Sequence, residues 1–420
     1  MSIDEGNAFE GRLRTFVMAN IYRELFKKPG TVAFSVTGVF ARIPISMISI
    51  GIMTMFAIEG LDYATAGLVS ASYVLANAII TPQISKLADE YGQARVARPA
   101  LLISFLSLCG LLIAAHYKAP LFILIIAAIL IGFMPSFGSF VRTRWSQLYH
   151  GSPLLRSAFA YESIVDELIF MVGPIIAIEL TNHLFPAAGP LAAGLIMLVA
   201  GLIFTLQKST EPVAHGKRQK GSTSVIRLFS IELLTVIMFC VGTIFGTAEI
   251  SAVAIGKSLQ QTNYTALPLV LYAAGSFIAG IVYGALPARM TLSKQLLVAT
   301  AIAAVTTLPL LFVTNLWNLS VVLLIAGAAC SPTIIIAMSL IDTIVPPEKL
   351  TEGMSWGITG MAMGVAAGAA ISGKLIDAFN PESGFYVSIV GGFLALILTI
   401  FGQKYLKPKT PKPKTILENS

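Results

Sequence analysis

Charge is what this chain has least of. Only 12% of its 420 residues are Asp, Glu, Lys or Arg, against roughly a quarter in soluble domains. So few polar side chains cannot cover a water-facing surface of this size, which excludes an ordinary soluble protein. Cysteine is scarce too. Cys109, Cys240 and Cys330 all lie inside apolar runs, with no disulfide or metal spacing, and read as small buried hydrophobes. The four histidines, His116, His150, His183 and His215, are scattered over loops and span ends. With no nucleophile–base pair and no metal cluster, an enzyme is not expected. No Gly-x-x-x-x-Gly-Lys-Ser/Thr occurs, so ATP is not the fuel, and no cofactor is called for. The first twenty-odd residues lack an apolar signal-peptide core, so the first long span is expected to act as its own insertion signal.

What is there is apolar: hydrophobic residues make up 56% of the chain. They form long runs without the alternation of a membrane β-barrel. A run of about 20 apolar residues crosses the hydrocarbon layer as a helix, and only helices satisfy their backbone within one segment in lipid. The expected fold is an all-α polytopic membrane protein, whose first partner is the lipid bilayer. Twelve spans are predicted, at roughly 31–58, 64–85, 99–117, 120–142, 158–181, 187–206, 231–256, 266–287, 293–313, 316–341, 353–377 and 384–405. They divide into an N-terminal six-helix bundle (1–206), a linker (207–230), a C-terminal six-helix bundle (231–406) and a basic tail (407–420). Of the 28 Lys and Arg, all but Arg42, Lys118, Lys257 and Lys374 fall on one set of alternate loops and the two chain ends. The positive-inside rule makes that side cytoplasmic, with both termini. The same distribution argues against nucleic acid as a partner. Trp145 and Trp317 fall at span ends and read as interfacial anchors.

Ionisable side chains within spans are costly and mark function by default. Arg42 lies about eleven residues into span 1, about 17 Å from its start, with Ser35, Ser46 and Ser49 on the same stripe. Arg42 is either an anion or counter-charge site in a substrate cavity, or the fixed partner of a span 5 carboxylate. Span 5 carries Glu162, Asp166 and Glu167. Glu162 and Asp166, spaced i,i+4, raise one another's proton affinity, and Asp166 and Glu167, a turn deeper, are either proton-coupling candidates or structural residues. Glu162 is expected in an ion-pair cluster with Arg142 and Arg144. Glu249 shares a face of span 7 with Gly242 and Gly246 and is either a third proton-coupling candidate or a rim residue. Tyr73 and Asn77 on span 2, Tyr272 and Ser276 on span 8, and Trp356 on span 11 are candidate cavity walls. Replacing Asp166 by Asn is expected to abolish coupling, and replacing Glu162 by Gln mainly to lower stability.

Two segments carry a family resemblance. Leu87, Ala88, Asp89, Gly92 and Arg95, between spans 2 and 3, stand where the major facilitator superfamily has Gly-x-Leu-Ala-Asp-Arg-x-Gly-Arg-Lys; Ser85, Glu90, Gln93 and Ala94 depart from it. Gly173-Pro174 resembles the Gly-Pro motif on the fifth helix of that family's antiporters, with Ile169, Ala177 and Ile178 in place of its further glycines. An internal repeat at an offset of 195 pairs Tyr161 with Trp356, Gly173 with Gly368, Ala177 with Ser372 and Leu180 with Leu375, as two parallel six-span halves require. The stretch Glu162 to Pro174 is similar to actinobacterial members. The resemblance implies a bacterial plasma-membrane secondary transporter, monomeric, working by alternating access on a small-molecule substrate and driven by protons. Efflux by antiport is implied first. Proton-coupled uptake of an anionic or zwitterionic nutrient, suggested by the permanent positive charge of Arg42, comes second, and a non-transporting sensor or scaffold is a third reading. A cytoplasmic gate is expected from Asp89, Gly92, Arg95, Arg142, Arg144 and Glu162, with Asp89 capping the amino terminus of span 11. Gly173 and Pro174 are expected to serve helix packing.

Overall fold

The computed structural model describes residues 22–61, 63–216, 223–260, 266–285, 290–313 and 315–406. The linker's basic core (Lys217, Arg218, Lys220), Arg289 and the tail from Lys407 lie outside the described residues, as does the side chain of Glu249. No strand occurs among the described residues.

Among the described residues, ten helical stretches are long and apolar enough to cross a membrane. They are span 1 (Thr31–Ile58), span 2 (Thr65–Tyr91), span 3 (Gln93–His116), span 6 (Ala188–Leu206), span 7 (Phe229–Ala252), span 8 (Leu267–Ala285), span 9 (Leu292–Phe312), span 10 (Leu316–Ile344), span 11 (Pro347–Ala378) and span 12 (Pro381–Gly402). Two more complete the set of twelve. Span 4 is broken into Leu121–Ile131 and Phe137–Tyr149. Span 5 is the continuous helix Leu154–His183, made less apolar by Arg156, Glu162, Asp166 and Glu167.

Proline explains the irregular spans. Span 1 is two helices, Thr31–Arg42 and Pro44–Ile58. Pro44 has no N–H to donate to the previous turn, so the chain bends directly after Arg42. In span 4 the break runs from Gly132 to Ser136 and holds Pro135. The carbonyls freed there are taken up by neighbours. Asn77 donates to Gly132 O and Met134 O at 3.2 and 3.4 Å, and Ser104 donates to Ile131 O at 3.1 Å. Beyond the break span 4 resumes as a helix to Tyr149, seven residues further than its sequence pattern suggests. Arg142, Arg144 and Trp145 are therefore inside a buried helix and not in a loop. Trp145, fully buried, is no interfacial anchor; Trp317 is exposed.

The two halves repeat one packing scheme. Spans 1–5, 1–6, 2–4, 3–4 and 3–6 touch in the first half, and the equivalent pairs 7–11, 7–12, 8–10, 9–10 and 9–12 touch in the second. Between halves, span 2 meets span 11 and span 5 meets span 8, contacts that a two-fold axis exchanges. Spans 7 and 11 approach closely. Gly360, Gly364 and Gly368 of span 11 face the backbone of Thr235, Phe239 and Thr243, and Gly242 and Gly246 of span 7 face Met361 and Val365. A Cβ at these glycines would run into backbone, the small-residue packing expected where lipid supplies no hydrophobic drive. The face of span 7 shared by Gly242 and Gly246 is thus a helix contact.

Candidate functional site

Arg42, the last residue of the first helix of span 1, reaches the carboxylates of span 5. Its guanidinium pairs with Glu162 at 2.6 Å and with Asp166 at 2.8 Å, and its Nε–H donates to Gly38 O at 3.0 Å. Arg142, from the inner piece of span 4, pairs with the other oxygen of Asp166 at 2.6 Å. Glu162 also accepts from Trp145 Nε1 at 2.7 Å. Asp166 is thus held between two guanidinium groups, and two cations face two anions. Burial separates the carboxylates: Glu162 is fully enclosed, while Asp166 is 31% exposed. Of the two readings open for Arg42, the structure has the fixed carboxylate partner. The whole network belongs to the first half.

Glu167, one residue on and about 100° further round the helix, faces the second half. It accepts from the Ser276 hydroxyl of span 8, with Tyr272 of span 8 and Cys330 of span 10 beside it. Its second oxygen is buried and has no hydrogen-bond partner. No cation pairs with it among the described residues.

Glu167 also marks the point where the halves part. On the face of span 5 turned to span 8, Ala160 and Ile164 are 0% and 9% exposed and touch Gly284 and Gly280. The same stripe continues through Leu168 and Ile175, which are 41% and 58% exposed. Hydrogen bonds between the halves run from this level to the end that carries loops 2–3, 4–5 and 10–11. There Asp89 accepts from the backbone N–H of Thr351 and Glu352 at 3.2 and 3.0 Å, at the amino terminus of span 11, where free N–H groups and the helix dipole favour an anion. Ser146 donates to Asp342, Ser157 donates to Gly284 O at 2.7 Å, and His150 lies 3.8 Å from Asp342. Among the described residues the hydrogen bonds between the halves gather towards this end.

The six expected gate residues do not form one group. Asp89 makes the span 11 contact. Gly92, at φ +95°, turns the chain from span 2 into span 3, and the next turn is capped by Glu211 of the linker, which accepts from Ala94 N at 2.7 Å. Arg95 is exposed and makes no ion pair among the described residues. Arg142 and Glu162 belong to the Arg42 network. Arg144 points the other way, into the first half. It donates to Gln93 Oε1 and Thr210 Oγ1, both at 2.9 Å, and its guanidinium lies 3.9 Å from the Phe204 ring centre. Residues two apart on a helix sit about 200° apart, so Arg142 and Arg144 cannot share the carboxylates. The inner contacts of Ser146 and Asp342 escaped the sequence reading, since neither side chain departs from ordinary span-end composition.

Several expected wall residues hold helices together. Ser46 donates to Ile43 O and Ile169 O, at 2.9 and 3.0 Å, where Gly173 lets spans 1 and 5 approach. Pro174, next to it, lies inside the span 5 helix. Ser49 pairs with Ser70 of span 2 at 3.0 Å, and Asn77 supports the span 4 break. Tyr73 and Trp356 each bury a polar atom, Oη and Nε1, without a partner.

The profile of the Major Facilitator Superfamily matches residues 32–254 and 233–418. The chain belongs to the major facilitator superfamily. The two profile matches overlap within span 7 and together cover both halves. No curated relative matches the sequence. Among solved structures, the chain is similar to a bacterial homologue of the iron transporter ferroportin in an outward-facing state (TM-score 0.70, 15% identity, 90% of this chain and 99% of that one). It is also similar to a human organic anion transporter (TM-score 0.65, 15% identity, 89% and 100%) and to a variant of the E. coli fucose:proton symporter (TM-score 0.65, 17% identity, 89% and 98%). At such identities the likeness is one of fold. A secondary transporter of this superfamily, embedded in a membrane and not an enzyme, is what the fold and the family establish.

Proposed function

We propose that this protein is a proton-driven exporter of a small organic solute, working by alternating access in a bacterial plasma membrane with loops 2–3, 4–5, 8–9 and 10–11 on the cytoplasmic side. The observation that carries the reading is Glu167: a carboxylate at the level where the halves part, bonded by one hydroxyl and, among the described residues, unpartnered at its other oxygen and without a cation. A carboxylate in that setting loads and releases a proton as its access alternates. Asp166, the first choice on sequence grounds, is a poorer carrier, because each of its oxygens is already taken by an arginine. Uptake of an anionic nutrient rested on a free positive charge at Arg42, and that charge is neutralised by Glu162 and Asp166.

The test is reconstitution of the full chain in liposomes under an imposed pH gradient. Solute moving out against protons moving in supports export, and solute moving in with protons reverses the direction. Proton flux that no solute changes, across cations, anions and neutral compounds, would falsify the transport reading.

A further inference from the structure

We infer that His150 and Asp342 form a pH-dependent latch between the halves: protonated His150 holds together the end that carries loops 4–5 and 10–11, and neutral His150 lets it part. This goes beyond the transport reading, since it concerns how the halves are held and not what they carry. Of the ion pairs among the described residues, His150 with Asp342 alone joins the two halves. Asp342 lies near the end of span 10 with its side chain 4% exposed, whereas His150, directly after span 4, is 70% exposed. One turn before His150, Ser146 donates to Oδ1 of Asp342. The other oxygen, Oδ2, lies 3.8 Å from Nδ1 of His150.

That distance decides what the contact can do. It is too long for a hydrogen bond, so a neutral imidazole gives this oxygen nothing, while a protonated one brings it a positive charge. A cation beside a buried carboxylate offsets part of its desolvation cost. The other charged and titratable groups around the pair are engaged elsewhere or lie in water. Lys28 donates to Leu148 O and covers the Tyr149 ring, and Tyr149 donates to Leu25 O. Arg142 is held by Asp166, Arg156 lies over the Tyr283 ring, and Tyr283 donates to Gln295. Lys349 donates to Thr223 O, and Glu352 accepts from Ser224 and from Val225 N. Glu232, Lys294 and Glu348 are exposed. No Lys or Arg pairs with Asp342 among the described residues.

An imidazole changes charge between about pH 5 and pH 8. Protonated His150 finds Asp342 only while the halves meet, so that arrangement binds the proton better. It is favoured at acid pH and lost as pH rises through the imidazole range. With this end in the cytoplasm, as in the export reading, an acid cytoplasm would slow opening towards it and so brake further proton entry.

The experiment is double electron–electron resonance on the purified full chain. Cys109, Cys240 and Cys330 are replaced by Ala, and spin labels are set at Arg95→Cys and Lys294→Cys, two exposed sites in different halves. The distance distribution gives the ratio of joined to parted molecules from about pH 5 to about pH 8. Glu167, also titratable and bonded across the halves, is present throughout, so the reading is the difference between His150 variants. The ratio is expected to fall about two- to fivefold more over this range with His150 than with His150→Gln, the strength of an ion pair with one exposed partner. His150→Lys, a fixed cation, should keep the ratio high to the top of the range. Asp342→Asn, which removes the charge but leaves an acceptor for Ser146, should match His150→Gln. Both His150 variants change an exposed side chain and should fold, which a thermal scan checks.

A pH profile that His150→Gln leaves unchanged, or a His150→Lys protein that parts with rising pH as the parent does, overturns the inference. Neither a substrate nor a gradient enters the measurement, so its failure leaves the transport reading intact, and failure of the transport reading leaves the latch standing.

Discussion

The paired charges around Arg42 make a prediction whose sign is opposite to simple addition. Replacing Glu162 by Gln removes a carboxylate that is fully buried, pairs with Arg42 and accepts from Trp145. Two guanidinium groups would then share Asp166 alone, leaving one buried positive charge without compensation. Breaking a buried pair from one side costs about 3–5 kcal/mol, because the surviving charge keeps its desolvation penalty. Replacing Arg42 by Gln should cost a similar amount for the mirror reason. The double variant, Arg42→Gln with Glu162→Gln, removes one charge of each sign and leaves Arg142 with Asp166 at 2.6 Å. A Gln at 162 still offers an acceptor to Trp145. The double variant should therefore be more stable than either single one, with a coupling of at least about 2 kcal/mol. Thermal unfolding of the detergent-purified protein reads this as a loss on the order of 5 °C for each single variant, with partial recovery in the double. A double variant as unstable as the sum of the singles would refute the charge-matching argument.

Three further outcomes follow from the same geometry. Asp166→Asn removes an anion that is 31% exposed, so water screens the loss; its cost should be about 1–2 kcal/mol, below that of Glu162→Gln in the same thermal scan. Asp89→Ala removes two charge-assisted bonds to the backbone of span 11, worth about 1.5–3 kcal/mol each at most. A cysteine placed at Ala160, buried against Gly284, should then be alkylated faster from that end of the molecule. Unchanged labelling would show that Asp89 does not hold the halves together. Gly364→Val sets a branched side chain against the backbone of Phe239 and should prevent folding, read as loss of the monodisperse peak in size-exclusion chromatography. A well-folded Gly364→Val protein would contradict the close packing of spans 7 and 11.

The topology was legible because membrane spans are a matter of composition: a run of about 20 apolar residues needs no tertiary information to be recognised. The Asp89 contact was legible for a related reason, since any helix amino terminus within reach of a carboxylate offers it free N–H groups. Side-chain direction was not legible. Asp166 and Glu167 look equivalent in sequence, yet the step of about 100° between neighbours sends one to two arginines of its own half and the other to a hydroxyl of the opposite half. The same rotation separates Arg142 from Arg144. It also puts Trp145, three residues after Arg142, on the carboxylate side, a relation visible in the spacing but obscured by placing the end of span 4 too early. That error had a physical source. Span 4 resumes after Pro135 with Arg142, Arg144 and Gln147 in its helix, polar enough to resemble a loop until the partners that bury these charges are known.

The placement of the charges bears on how the halves could rock. Arg42, Arg142, Glu162 and Asp166 all belong to one half, so a rigid-body movement carries the network along unbroken. Were any of those ion pairs to span the interface, each opening would expose an uncompensated buried charge and cost several kcal/mol. The bonds that do cross between the halves are of another kind. They run from Asp89 to backbone N–H groups, from Ser146 to Asp342, and from Ser157 to the Gly284 carbonyl. Each can be exchanged for a bond to water at a net cost of about 0.5–3 kcal/mol. An alternating-access transporter needs its halves rigid and its contacts replaceable. On this division the arginine network keeps the first half rigid, and the Ser276–Glu167 bond is the deepest of the bonds that must be exchanged. Loading Glu167 with a proton would therefore act directly on the Ser276 bond between the halves.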